Sequence, residues 1–258
     1  MNIYQVDAFT NELFKGNPAA VCPLKNWISE DVMQTIAEEN NLSETVFFVQ
    51  NKHQFEIRWF TPTCEIDLCG HATLAAAHII FTELNYTKNS IEFSSKSDIL
   101  TVEKNNDWYI LNFSSEEIKE IETPIILQQA LNVPILKTFK GKWKIIALLQ
   151  NEEIVQNLQP NFSKLTELEF SGVIVTSKGD SLDFVSRFFA PKIGINEDPV
   201  TGSAHTLLIP YWANILNKNI LIAKQLSKRT GFLKCKNLEN RVEMSGQAVT
   251  YLKGKITI

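Results

Sequence analysis

Three side chains have types and settings that suit proton transfer: Glu44, His71 and Asp198. Glu44 stands in Asn41-Leu42-Ser43-Glu44-Thr45-Val46-Phe47-Phe48, where the chain leaves a helical stretch and enters an apolar strand. A carboxyl group held against aromatic surface has its pKa raised, so that one group can take a proton and return it near neutral pH. A solvated glutamate at a strand edge is the competing reading. His71 follows Gly70 at the head of an apolar run. A helix dipole disfavours the imidazolium there, which suits a neutral hydrogen-bonding or relay role; a merely packed histidine is the alternative. Asp198, in Asn196-Glu197-Asp198-Pro199, is read as a second acid or as the group that orients His71, although an Asp-Pro turn before a helix needs no function.

Two helix starts accompany these groups, Gly70-His71 and Gly202-Ser203. The first N–H groups of a helix lack internal acceptors and carry partial positive charge, and a bare glycine lets a carboxylate or an oxyanion come close. Gly70, Gly202 and Ser203 are therefore candidate substrate contacts. Capping by Asp67, Thr201 or Asp198 would satisfy the same N–H groups without any ligand. Cys64, Cys69 and His71 raise the question of zinc, but their spacing is that of neither a finger nor a ribbon and no second Cys/His cluster completes four ligands, so no metal is expected. No G-x-G-x-x-G follows a strand and no Walker loop occurs, so no nucleotide or flavin cofactor is expected either.

The elements that must position these groups are written twice. Phe55-Glu56-Ile57-Arg58-Trp59-Phe60-Thr61-Pro62 leads through an acidic connector to Gly70-His71-Ala72-Thr73-Leu74. Phe184-Val185-Ser186-Arg187-Phe188-Phe189-Ala190-Pro191 leads likewise to Gly202-Ser203-Ala204-His205-Thr206-Leu207. The period is too long for a solenoid and points to two copies of one small domain. Strand signals dominate, at 45–50, 55–60, 99–103, 108–113, 172–176 and 182–189. One helix is expected from the N-cap Ser29 to Asn40 or Asn41, with Ile28 and Met33 as a hydrophobic staple. The runs after Gly70 and Gly202 are apolar on every side and should lie buried; Pro210 predicts a kink or a late start in the second. The fold class is α+β: two similar halves, each a mostly antiparallel, barrel-like sheet around a buried central helix. The crossing is placed in the weakly periodic stretch from about 115 to 134, giving halves 1–115 and 116–258, with the last strand free to pack back on the first half. A pseudo-twofold that joins both helix starts would make one pocket for a small anionic molecule.

Composition narrows the partners. The chain has 258 residues, 44% hydrophobic and 21% charged, and no apolar run long enough for a membrane span, so a globular protein without membrane contact is expected. Twenty-five basic against 29 acidic residues give a net charge of −4, which is a poor match for nucleic acid. Met1 to Phe9 reads as a strand rather than a signal peptide, and four scattered cysteines suggest reduced thiols; a cytoplasmic location is expected.

Five motifs together resemble the PhzF-like proteins, named for the phenazine biosynthesis isomerase. They are Gly16-Asn17-Pro18-Ala19-Ala20-Val21, Asn41 to Thr45, Trp59-Phe60-Thr61-Pro62, Glu65 to Thr73, and Asp198 to Ala204. The resemblance spans nearly the whole chain and implies the diaminopimelate-epimerase type of fold. It places Glu44 on the family's catalytic acid/base, His71 and Asp198 on supporting polar positions, and Gly70, Gly202 and Ser203 on substrate-binding helix starts. It also implies proton transfer on a small unsaturated carboxylate without a cofactor, and a homodimer. The chain departs from the pattern at Ser94-Ser95-Lys96-Ser97-Asp98 and at Ser114-Ser115. Two other readings stand beside the isomerase. A two-thiol epimerase needs a cysteine at both helix starts, yet Thr201 stands where a partner for Cys69 belongs; a non-catalytic binding protein would keep the fold alone.

Overall fold

A computed structural model describes residues 1–51, 54–96 and 99–258; Ser97 and Asp98 of the divergent turn lie outside them. The chain divides into two compact units, one formed by Met1–Asn112 with Met244–Ile258 and the other by Phe113–Glu243. The first unit runs β1 (Asn2–Ala8), β2 (Asn17–Leu24), α1 (Glu30–Asn40), β3 (Glu44–Asn51), β4 (Gln54–Phe60), β5 (Glu65–Ile66), α2 (Gly70–Glu83), β6 (Ser90–Ser94), β7 (Ile99–Asn105) and β8 (Trp108–Ser114), the last crossing the unit boundary. The second contains β9 (Lys119–Ile121), α3 (Ile125–Leu131), β10 (Lys137–Lys140), β11 (Lys144–Leu148), α4 (Glu152–Asn157), α5 (Phe162–Leu165), β12 (Gly172–Lys178), β13 (Phe184–Ala190), β14 (Ile195–Asp198), α6 (Gly202–Leu216), β15 (Ile220–Gln225) and β16 (Gly231–Leu238). Strand β17 (Arg241–Gly246) leads back to the first unit and β18 (Ala248–Lys255) completes it.

The repeat seen in the sequence is a repeat of topology. In the first unit β1 pairs antiparallel with β2, β2 parallel with β3, β3 antiparallel with β4, β4 parallel with β6, and β6 antiparallel with β7. In the second, β10–β11, β11–β12, β12–β13, β13–β15 and β15–β16 follow the same sequence of directions. Each parallel step needs a crossover, and helices supply it: α1 or α4–α5 for the first step, and α2 or α6 for the second. The expected linker between 115 and 134 holds β9 and α3, short elements of the second unit; their brevity explains the weak periodicity there.

Strand alternation sorts the side chains of each sheet. In the first unit Ala20, Cys22, Phe47 and Phe60 face α1, where they enclose Met33, Ile36 and Ala37, with Ile28 packed alongside. Their neighbours face α2, in which every residue from His71 to Ile80 is buried. Helix α1 ends on Asn41 in the left-handed conformation, as its sequence suggests. In the second unit Leu127, Val155, Leu165, Val173, Val185 and Phe189 form the core on the side of α3 to α5, while Phe184 stacks on Trp212 of α6 with ring centroids 5.8 Å apart. Helix α6 departs from its apolar pattern, because Ser203, Asn214 and Ile215 are exposed and Tyr211 is partly so. Pro210 neither delays nor ends it. The proline removes the N–H that would bond the Thr206 carbonyl, and that oxygen accepts instead from the Glu116 N–H at 3.1 Å. Among the described residues no helix is long and apolar enough to cross a membrane.

Candidate active site

The duplicated arginines hold the chain just ahead of each central helix. Arg58 on β4 grips Glu65 of β5 through Nε and Nη2, both at 2.6 Å. Arg187 on β13 grips Glu197 of β14 in the same two-pronged way, at 2.7 and 3.0 Å. Each guanidinium lies over the phenylalanine two residues on, Phe60 at 5.3 Å and Phe189 at 4.9 Å, which is why the motif pairs arginine with an aromatic residue. Arg187 also donates through Nη1 to the carbonyls of Val155 and Leu158. Four residues past Glu65 comes Cys69, the N-cap of α2, and four past Glu197 comes Thr201, the N-cap of α6.

Both starts are braced from within. Thr73 Oγ1 donates to the Cys69 carbonyl at 2.6 Å, and His205 Nδ1 donates to the Thr201 carbonyl at 2.8 Å, the same backward step of four residues. Neither the Cys69 nor the Thr201 side chain caps its helix, so these N-cap side chains leave the leading N–H groups of α2 and α6 to other acceptors.

In the first unit Glu44 and His71 come together. Glu44 opens β3 opposite Ala19 of β2, and alternation turns Asn17 and Glu44 toward α2 rather than α1. Glu44 Oε2 lies 2.9 Å from His71 Nε2, with the residues only 8% and 4% exposed, so the solvated-edge reading of Glu44 is set aside. The distance is that of an ion pair, yet the oxygen lies off the line of the ring N–H, and neither atom makes a well-formed hydrogen bond among the described residues. The carboxylate is paired but not locked. On the other edge of the ring, Nδ1 faces Asn17 Nδ2 at 3.2 Å and Cys69 Sγ at 3.5 Å.

The pair changes the expected state of His71. Burial works against its charge, but the Glu44 carboxylate beside the ring opposes burial, and the pKa lies well above the ordinary 6.5. Burial, with Glu44 adding to it, pushes the Cys69 thiol up. Cys69 is thus a neutral thiol at pH 7, and the carboxylate is what overrides the helix dipole and favours the imidazolium. Glu44, Cys69 and His71 offer oxygen, sulfur and nitrogen atoms within 4.8 Å of one another. The ring meets Glu44 with one nitrogen and Cys69 with the other, so the two groups stand on opposite edges of the imidazole rather than on the same nitrogen.

The remaining sequence candidates lie in the second unit. Asp198 is buried, and its Oδ2 accepts from Thr201 Oγ1 at 2.5 Å. Gln225 of β15 ties the turn together: its Oε1 accepts from the Thr201 N–H at 2.9 Å and its Nε2 donates to the Asp198 carbonyl at 2.7 Å. Gly202 is buried and Ser203 exposed, both in the first turn of α6. Burial lowers the His205 pKa to about 4, against the pull of the Thr201 carbonyl. Sequence reasoning singled out neither Asn17, whose only signal was its place in the Gly16-Asn17-Pro18 motif, nor Gln225, which carries no local signal at all.

Fold and site together define a member of a known family. The chain belongs to the PhzC-PhzF family of phenazine biosynthesis-like proteins, whose family model matches residues 6–254. It is 45% identical to an uncharacterized isomerase of Pseudomonas aeruginosa, over 100% of this chain and 99% of that one. A PhzF-family phenazine biosynthesis protein of Enterococcus faecalis superposes with a TM-score of 0.98 at 47% identity, covering 100% of this chain and 99% of the other. A second, from Clostridium difficile, gives 0.95 at 43% identity, with both chains fully covered. The fold is α+β, of the diaminopimelate-epimerase type.

Proposed function

We propose that this protein is a cofactor-independent isomerase that moves a proton from one carbon of a small unsaturated carboxylate to another, with Glu44 as the acid/base. The carrying observation is the buried Glu44 carboxylate 2.9 Å from His71 at the start of α2. A buried carboxylate with an incompletely aligned partner can turn toward a substrate C–H, accept its proton and release it to a neighbouring carbon. His71, held toward its charged form, balances the carboxylate before proton transfer. The N–H groups at Gly70, bare of any side chain, suit the substrate's own carboxylate. For Asp198, Gly202 and Ser203 the reading rests on the family motif. The isomerase named in Pseudomonas aeruginosa supports the reaction class. A two-thiol mechanism is disfavoured by Thr201 at the position matching Cys69, and by a Cys69 thiol that burial keeps protonated.

The test is a screen of small unsaturated carboxylates in deuterium oxide, read by mass spectrometry. Wild-type protein should wash deuterium into one of them, Glu44→Gln should slow this by about 10² or more, and Cys69→Ala should retain it. Binding without exchange in the wild type, or undiminished exchange in Glu44→Gln, refutes the proposal.

A further inference from the structure

We propose that Asn17 is a positioning residue that sets the tautomer of His71: its side-chain amide donates to Nδ1, so that the neutral ring keeps its single proton on Nε2, the nitrogen beside Glu44. This rests on the reading of Glu44 and His71 as the proton-transfer pair, but its test requires no turnover.

Three observations carry it. Asn17 is completely buried, so its amide is confined to the partners around it. Its Nδ2 lies 3.2 Å from His71 Nδ1, on the edge of the ring opposite Glu44. And the turn that delivers it is tightly specified: Gly16 has φ of +64°, and a Cβ there would stand 2.1 Å from the Ala8 carbonyl oxygen. A neutral imidazole donates from one nitrogen and accepts at the other, and the hydrogen bond at one fixes the proton at its partner. Among the described residues, the groups facing the ring are Glu44 from β3, which only accepts when ionised, Asn17 from β2, and Cys69 from the helix cap, whose thiol at 3.5 Å is a weak donor or acceptor and decides little. The amide requires a bare Nδ1, and the carboxylate 2.9 Å from Nε2 favours the proton there by its charge, so both select the same tautomer. When the ring gains a second proton on Nδ1, the amide must turn its oxygen to meet it, so a half-turn of Asn17 accompanies each change of charge on His71. Asparagine can serve both states; aspartate can only accept, and would hold the ring as a cation between two carboxylates.

Ring-nitrogen NMR of protein labelled with ¹⁵N in histidine and asparagine tests this, with His71 assigned among the four histidines by its loss in His71→Gln. At the alkaline end of a pH titration, wild-type His71 should show a protonated Nε2 and a bare Nδ1, with a coupling across the hydrogen bond from Asn17 Nδ2. In Asn17→Asp the cation should persist at least tenfold further in proton concentration, while the His78 and His205 signals stay in place and report an intact fold. A neutral wild-type ring protonated on Nδ1 overturns the proposal, as does a His71 titration that Asn17→Asp leaves unmoved. If tautomer and titration behave as stated but no carboxylate exchanges deuterium, the isomerase reading falls and this one stands. If Glu44→Gln abolishes exchange while the tautomer is wrong, only this one falls.

Discussion

Replacing His205 by threonine exchanges one internal brace of a central helix for the other. Thr73 in α2 makes with its hydroxyl the bond that His205 makes in α6 with its ring, so His205→Thr should keep the brace and delete a titratable group. Near pH 7 two effects compete. Emptying a fully buried ring site costs about 2–4 kcal/mol, and removing Nε2, a buried acceptor without a partner among the described residues, returns about 1 kcal/mol. A net loss of about 1–3 kcal/mol is expected. The acid limb is more telling. His205 titrates at about 4 in the folded chain against the ordinary 6.5, so its neutral form stabilises the fold above pH 6.5. That contribution is lost as the pH falls from 6.5 toward 4. Between about pH 7 and about pH 4.5 the loss is on the order of 2 kcal/mol, and the variant should be spared it. His78, also lowered to about 4 by burial, is common to both proteins and cancels. Urea unfolding followed by tryptophan fluorescence at the two pH values measures the difference, with Trp212 beside Phe184 as a reporter within the same unit. Equal acid sensitivity in the two proteins would refute the premise that burial keeps this ring neutral.

Two further substitutions probe the scaffold. Arg187→Met should cost about 3–5 kcal/mol, because it strands Glu197 and the carbonyls of Val155 and Leu158 at a residue only 7% exposed; Arg58→Met, whose second partner Glu30 is largely exposed, should cost less, and urea midpoints compare the two. Gly16→Ala should destabilise by about 2 kcal/mol or more, visible as a lowered Tm, since a Cβ at φ of +64° would meet the Ala8 carbonyl at 2.1 Å.

Local signals account for what the sequence makes legible. Ser29, Glu30 and Asp31 mark where α1 begins, although the Ser29 side chain makes no capping bond, and Asn41 ends it in the left-handed conformation, because helix ends are set by residues within one turn. The repeated motif discloses the duplicated sheet because arginine, phenylalanine and glycine do the same local task in each copy. Glu44 and His71 stand out because a lone ionisable group beside an apolar run is conspicuous. What sequence leaves hidden is set by register. Asn17 reaches His71 only because β2 and β3 run parallel with Ala19 opposite Glu44, and Gln225 reaches Thr201 across 24 residues. The charge of His71 is hidden for the same reason: the dipole is local to the helix, whereas the carboxylate arrives from a strand 27 residues upstream in the chain. The apolar face of α6 around Ile215 misleads because hydrophobicity records a preference for burial and not whether a neighbour supplies it.

The proline in α6 illustrates how a local fault becomes a fastening. A helix with an unbroken ladder would keep the Thr206 carbonyl for itself; with Pro210 in place that oxygen is the hook on which the incoming polypeptide hangs at Glu116. The anchor ties the stretch that enters the second unit to that unit's own central helix, and a chain laid one residue out of place would leave the Thr206 carbonyl without its donor. A residue that elsewhere ends helices here pins down the path of the chain.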